Sequence, residues 1–248
     1  MQGIRMQSAK EREGKMGFFG FGKKKEAAKE NTNANTNANT NAGAGTNENA
    51  DADREMLNRL CANAGNIISM LSKVLSGEKG IDLFLVTLYG AGLAGIACHE
   101  AVKALRQPFV LIECKDGKKY YMGDSVNHFL HEGAYSVTSL ARAATQMPMD
   151  AITPIISRQA SSIGSENFVV AGKMDPADLY KNVKSCWDGI KDNMTLKYCE
   201  KPQEWPILYG IVLQNIMLQA VKLAPKEEIF NLAVDVACAL AKMDKDSL

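Results

Sequence analysis

Histidine is scarce in this sequence, three in 248 residues, and none stands where a common catalytic or metal signature needs it. His99-Glu100 is followed by Lys103 and His131-Glu132 by Tyr135, so neither completes the His-Glu-x-x-His zinc helix. His128 and His131 lie one helical turn apart with Asp124 nearby, but no cysteine or acidic pair at ligand spacing joins them. A surface pair is the expected reading, and no metal is expected. The six cysteines (Cys61, Cys98, Cys114, Cys186, Cys199, Cys238) form no Cys-x-x-Cys pair, which removes the dithiol and zinc-ribbon classes. Most sit at apolar positions of helical patterns, where a thiol behaves as a small hydrophobe. Free thiols point to a reducing, cytoplasmic compartment. No serine stands in a Gly-x-Ser-x-Gly elbow; Ser161-Ser162-Ile163-Gly164 is the nearest approach. Net charge is only +1, so the basic excess of a dedicated nucleic-acid binder is missing. An N-terminal apolar segment of secretory length is missing too.

What charge there is lies unevenly. Residues 1–30 carry eight Lys/Arg against four Asp/Glu, so a head of +4 precedes a body of −3 in a chain of +1. Residues 1–15, "MQGIRMQSAKEREGK", have no apolar periodicity. Arg12-Glu13 can be encoded by a purine-rich ribosome-binding sequence just upstream of Met16, so residues 1–15 are expected to be a translated leader and Met16 a bacterial start. Phe18, Phe19 and Phe21 then stand directly before Lys23, Lys24 and Lys25. Aromatic rings beside ammonium groups fit weak, reversible contact with an anionic membrane surface, or with a partner protein. Residues 31–50 contain three Asn-Thr-Asn-Ala units and nothing that can build a core, so a linker is expected there. The folded domain is expected from Asp51 to Leu248.

Within that domain the periodicity is mostly helical. In residues 51–77, Met56, Leu57, Leu60, Cys61, Ala64, Ile67, Ile68, Leu71, Val74 and Leu75 fall on one face, and Gly77 ends the run. Asp175-Pro176 opens another helix with a stripe of Leu179, Val183, Cys186, Trp187 and Ile190. Trp187 and Trp205 read as core anchors. Two broad apolar segments follow, separated at Pro225, and suit the centre of a bundle. Shorter helices are expected after Asp124, around 135–147 and around 153–163. One region differs. Residues 108–123, "PFVLIECKDGKKYYMG", place two apolar runs around Asp116-Gly117, which predicts a β-hairpin. Tyr120 and Tyr121 would then lie on opposite faces, one inward and one toward a partner. "NFVVAG" is a candidate for a further strand.

The run "LFLVTLYGAGLAG" at 83–95 carries Gly90-x-Gly92-x-x-Gly95. With "FVLIE" ending at Glu113, it resembles the opening of a flavin- or nicotinamide-binding Rossmann unit. That resemblance implies glycines for close pyrophosphate approach and a carboxylate on the ribose, and it covers only residues 83–113. Past Glu113 the chain turns back into a hairpin, with no series of parallel strands to follow. The alternative is one buried helix over residues 81–105, forming a helical hairpin with residues 53–76. Each mid-helix glycine costs about 1 kcal/mol relative to alanine, which is tolerable where Ala91 and Gly95 let a neighbouring helix come close. The uncharged stretch Leu83–Cys98 is sixteen residues, short of the ~20 that span a bilayer. The buried helix is the expected reading.

The fold expected is therefore mainly α, a multi-helix, bundle-like domain with one inserted β-hairpin. The function expected is a non-enzymatic interaction or adaptor module with a protein partner and no cofactor. A small FAD- or NAD(P)-binding oxidoreductase using Gly90, Gly92, Gly95 and Glu113 is the alternative.

Overall fold

The computed structural model describes residues 44–244 apart from 78–79, 116, 166–167 and 172, with side chains from Asp51 onward. The leader, Met16, the head with Phe18, Phe19, Phe21, Lys23, Lys24 and Lys25, and linker residues 31–43 lie outside the described residues, as does Asp116 of the hairpin turn.

The described residues form eight α-helices and two short antiparallel ribbons. Helix α1 (Ala44–Val74) starts seven residues before Asp51 and takes in the last part of the segment expected as linker. A minimal ribbon, β1 (Ser76–Gly77) and β2 (Gly80–Ile81), then turns the chain into α2 (Leu83–Ala104). Asp82 caps α2 by accepting hydrogen bonds from the Phe84 and Leu85 backbone N–H groups at 2.9 and 3.3 Å, which satisfies two of the free N-terminal donors. The hairpin follows as β3 (Val110–Glu113) and β4 (Lys119–Met122), with Gly117 at φ +76° in its turn.

Helices α3 (Asp124–His131), α4 (Val137–Thr145) and α5 (Thr153–Ser162) come next. "NFVVAG" contributes only an isolated bridge between Val170 and Met174 rather than a strand. Asp175 caps α6 (Pro176–Ile190) through the Ala177 N–H at 2.7 Å. The helix then widens into a π-helical turn, Lys191–Leu196. Helices α7 (Trp205–Ala220) and α8 (Lys226–Ala241) close the domain, with the break at Pro225.

Helix α2 sits centrally, packed along both α7 and α8, while α1 and α4 pack on α7. The helical hairpin expected between α1 and α2 is not formed: α1 lies chiefly on α7 instead. The cause is the small-residue face of α2, which α7 and α8 occupy. Trp187 and Trp205 are both buried and meet edge to face at 6.1 Å.

Both tyrosines of β4 are buried, Tyr120 fully and Tyr121 to 4% exposure, so neither faces a partner. Their faces are closed because the chain after α8 returns alongside β4. Tyr121 N–H donates to the Lys242 carbonyl at 2.6 Å, and Asp244 N–H to the Lys119 carbonyl at 3.2 Å. The Tyr121 hydroxyl donates to the Asp244 carboxylate at 2.8 Å.

Candidate functional site

The three glycines lie in the middle of one continuous helix, so their N–H groups belong to its hydrogen-bond ladder and form no phosphate cradle. What they provide is close packing. A methyl group at Gly95 would stand 2.3 Å from the Ala237 carbonyl oxygen and 3.0 Å from the Ala241 nitrogen, both backbone atoms of α8. At Gly92 it would meet Val183 Cγ1 at 2.9 Å and Leu240 Cδ2 at 2.8 Å, and at Gly90 Ile216 Cδ1 at 2.8 Å. Glu113 is exposed at the end of a hairpin strand. The dinucleotide alternative therefore loses its strand, its turn and its parallel partner strand. By length and composition α2 would reach across a bilayer, yet 72% of its apolar window is buried within this domain.

The polar groups inside the helices are structural in character. His99 is 1% exposed and stacked between Tyr121 and Tyr180, at ring distances of 5.4 and 6.1 Å. Burial lowers its basicity. Glu100 next to it is held down to about 2: burial opposes its ionisation but is outweighed by the contact with His99 and by Lys184 and Lys191. The His99 Nε2 to Glu100 Oε1 contact is 3.4 Å without hydrogen-bonding geometry. Lys191 at 3.3 Å and Lys184 at 4.0 Å are the lysine counter-charges of Glu100. Asp235, 4% exposed, takes Arg158 Nη2, Gln159 Nε2 (2.7 Å) and the Ala171 N–H (2.9 Å) and ties α5 and the loop before α6 to α8.

The one cysteine–histidine approach is inert. Cys238 Sγ lies 3.8 Å from His131 Nε2, but burial pushes the thiol up to about 12 and the imidazole down to about 4. Neither group is in the form that an activated dyad needs. His128 is exposed and pairs with Glu132 at 3.3 Å, so the two histidines do not converge. No group of three metal-ligating side chains occurs among the described residues. Cys61 and Val74, expected on the apolar face of the first helix, are instead exposed, since they lie on the side of α1 that turns away from α7.

The hairpin offers a different kind of site. The register pairs Val110 with Met122, Leu111 with Tyr121, Ile112 with Tyr120 and Glu113 with Lys119. Cys114 N–H donates to the Lys118 carbonyl at 2.9 Å. Alternation along an antiparallel ladder then makes Ile112–Tyr120 and Val110–Met122 the hydrogen-bonded pairs. Leu111 and Glu113 therefore point their N–H and C=O groups away from β4. The opposite edge of β4 confirms this parity, since Tyr121 and Lys119 are the residues that bond the 242–244 segment. Nothing among the described residues bonds the outward groups of Leu111 and Glu113.

Along this free edge Phe109, Val110, Leu111 and Ile112 are 38, 60, 42 and 42% exposed. Four consecutive exposed apolar residues on an open edge are what folded proteins ordinarily cover or interrupt with charge or proline. Pro108 gives no such protection, because its parity turns its missing N–H toward β4. The exposed Arg106 precedes the strand and the exposed Glu113 ends it. Sequence reading located this hairpin but not its open edge, because the edge depends on which flank of β4 the distant 242–244 segment occupies.

Set against known proteins, the chain matches no family model, no curated protein and no solved structure.

Proposed function

We propose that this domain is a non-enzymatic assembly module that joins a second copy of itself by adding strand to strand at β3. The observation that carries the reading is the free, apolar edge Phe109–Glu113 with its outward backbone groups. The chemistry of the strand suits its own antiparallel copy. A two-fold axis at Leu111 sets Leu111 on Leu111, Val110 on Ile112 and Phe109 on Glu113 of the second copy. The outward N–H and C=O groups of residues 109, 111 and 113 then form up to about six backbone bonds. Antiparallel pairing also brings Glu113 toward the end that carries Arg106, whereas parallel pairing would stack Glu113 on Glu113.

A five-residue strand pair is smaller than a standard protein interface. Association is therefore concentration-dependent and reversible, as suits a module whose copies gather on a shared scaffold. A cytoplasmic setting belongs to the same proposal and fits six free thiols.

The test is sedimentation analysis of the full chain from about 1 µM to about 1 mM, spanning the weak-to-moderate affinity range. The parent protein is expected to move from monomer to dimer. Leu111→Pro removes one outward donor and no hairpin bond, because proline is tolerated at a strand edge, and is expected to remain monomeric and folded. A parent that stays monomeric throughout, or a Leu111→Pro dimer of unchanged strength, overturns the proposal. Monomeric behaviour together with capture of another protein's extended segment, lost in Leu111→Pro, would transfer the edge to a foreign partner.

A further inference from the structure

A cleft of about 630 Å³ opens between α1 and the chain that leads from the π-helical turn into α7, lined by Arg59, Asn63, Asn66, Lys197, Tyr198 and Lys201 among others. Its volume is in the range of small-molecule sites. We infer that this cleft binds a small phosphorylated, hydroxyl-bearing molecule, with Lys197 and Lys201 around the phosphate and Asn63 accepting from a hydroxyl.

Three features carry this beyond the reading given for β3. First, the cations outnumber the carboxylates. Arg59, Lys197 and Lys201 face Glu200 and Glu204. Glu204, only 4% exposed, already spends its charge on Arg59 at 2.8 Å and Lys201 at 3.8 Å. Lys197 has no carboxylate within ion-pair distance among the described residues and lies 5.2 Å from the Tyr198 ring. Lysine ammoniums on flexible stems suit phosphate as point charges, while Arg59 shapes the wall by donating to the Tyr198 carbonyl at 3.2 Å and to Glu204 at 2.8 Å.

Second, Asn63 is 4% exposed and its Oδ1 has no partner, while its Nδ2 reaches the Met194 carbonyl at 3.4 Å. A buried acceptor left unpaired in the wall of a cleft calls for a donor from whatever fills it. Third, Met194 belongs to the π-helical turn Lys191–Leu196. Such a turn is uncommon and recurs at functional sites. Here it is what carries the carbonyl that orients Asn63. The Thr195–Tyr209 hydroxyl contact at 2.6 Å fixes the same turn from beneath.

The experiment is an amide-shift titration of the full chain with inorganic phosphate, glucose 6-phosphate and succinate, each to about 10 mM, a range that reaches weak affinities. Glucose 6-phosphate is expected to shift residues 59–66 and 197–204 and to bind tighter than phosphate, with succinate weakest. Lys197→Gln with Lys201→Gln is expected to weaken both phosphates at least about tenfold, the scale of a lost charge-assisted contact. Asn63→Leu is expected to weaken glucose 6-phosphate and leave inorganic phosphate unchanged, a split that simple misfolding would not produce. Silence of those residues with every probe, or equal binding by the lysine variant, overturns the inference. Tighter binding of succinate than of the phosphates overturns the assignment to phosphate. Neither result bears on self-association at β3.

Discussion

Gly95→Ala is the sharpest test of why α2 contains glycine. In an isolated helix the change gains about 1 kcal/mol of propensity. In this domain the new methyl would sit 2.3 Å from the Ala237 carbonyl oxygen and 3.0 Å from the Ala241 nitrogen. Both are backbone atoms, so no rotamer change relieves the contact, and α2 and α8 must part by about 1 Å to restore van der Waals distance. Overpacking of this kind costs 1–3 kcal/mol. With backbone on the far side the upper end applies, which leaves a net loss of about 2 kcal/mol. For a domain of this size that lowers Tm by about 4–8 °C.

Gly65→Ala supplies the opposite sign. Gly65 lies within α1 with nothing inside 4 Å of the added methyl, so the same substitution should raise stability by about 1 kcal/mol. Gly90→Ala meets only the tip of Ile216 and should be nearly neutral. Urea unfolding of the three variants against the parent measures all of this. Gly95→Ala as stable as Gly65→Ala would refute the close-packing explanation.

Glu100→Gln should destabilise the fold at pH 7 by removing the partner of Lys184 and Lys191. Because the folded carboxyl sits at about 2, below its ordinary value of 4.5, its stabilisation is complete above pH 4.5 and fades as pH falls toward 2. The parent and the variant should therefore converge in acid; a deficit that persists at pH 2 would assign the loss to packing. Asp235→Ala leaves Arg158, Gln159 and the Ala171 N–H without their shared acceptor. A loss of about 1–3 kcal/mol is expected from leaving the buried Gln159 amide and the Ala171 N–H without their acceptor, since the Arg158 side chain is 46% exposed and can turn to water, and no change in urea unfolding would contradict it. Thiol labelling of the native chain should modify Cys61 fastest. Cys98, Cys199 and Cys238 are buried, with the Cys199 and Cys238 thiols pushed up to about 12, and should react only on unfolding; rapid labelling of Cys238 would contradict its inert pairing with His131.

Local patterns were legible in the sequence. The stripe through Leu179, Val183 and Trp187, the Asp175-Pro176 start, the break at Pro225 and the hairpin around Gly117 all recur in the structure. Long-range relations were not. The burial of both Tyr120 and Tyr121 depends on a chain segment more than a hundred residues later, which no alternation within β4 reveals. Helix α1 reaches back to Ala44 although its first residues carry the Asn/Thr composition of a linker, because composition says little about how far a packed helix propagates outward. The choice of α7 over α2 as the neighbour of α1 rests on which face the glycines of α2 offer. The cleft draws Arg59, Asn63, Lys197 and Lys201 from opposite ends of the domain, and its π-helical turn has no periodicity signal of its own.

Strand-to-strand assembly at β3 is read directly by an isotope-filtered NMR experiment. Differently labelled copies of the full chain are mixed at the concentration where sedimentation gives a dimer. With the two-fold axis at Leu111, Val110 of one copy and Ile112 of the other form a non-hydrogen-bonded pair, whose α-carbons approach to about 4.5 Å. An intermolecular cross-peak between their α-protons is expected. A dimer that lacks this cross-peak, or no dimer from which to record one, would contradict assembly at β3.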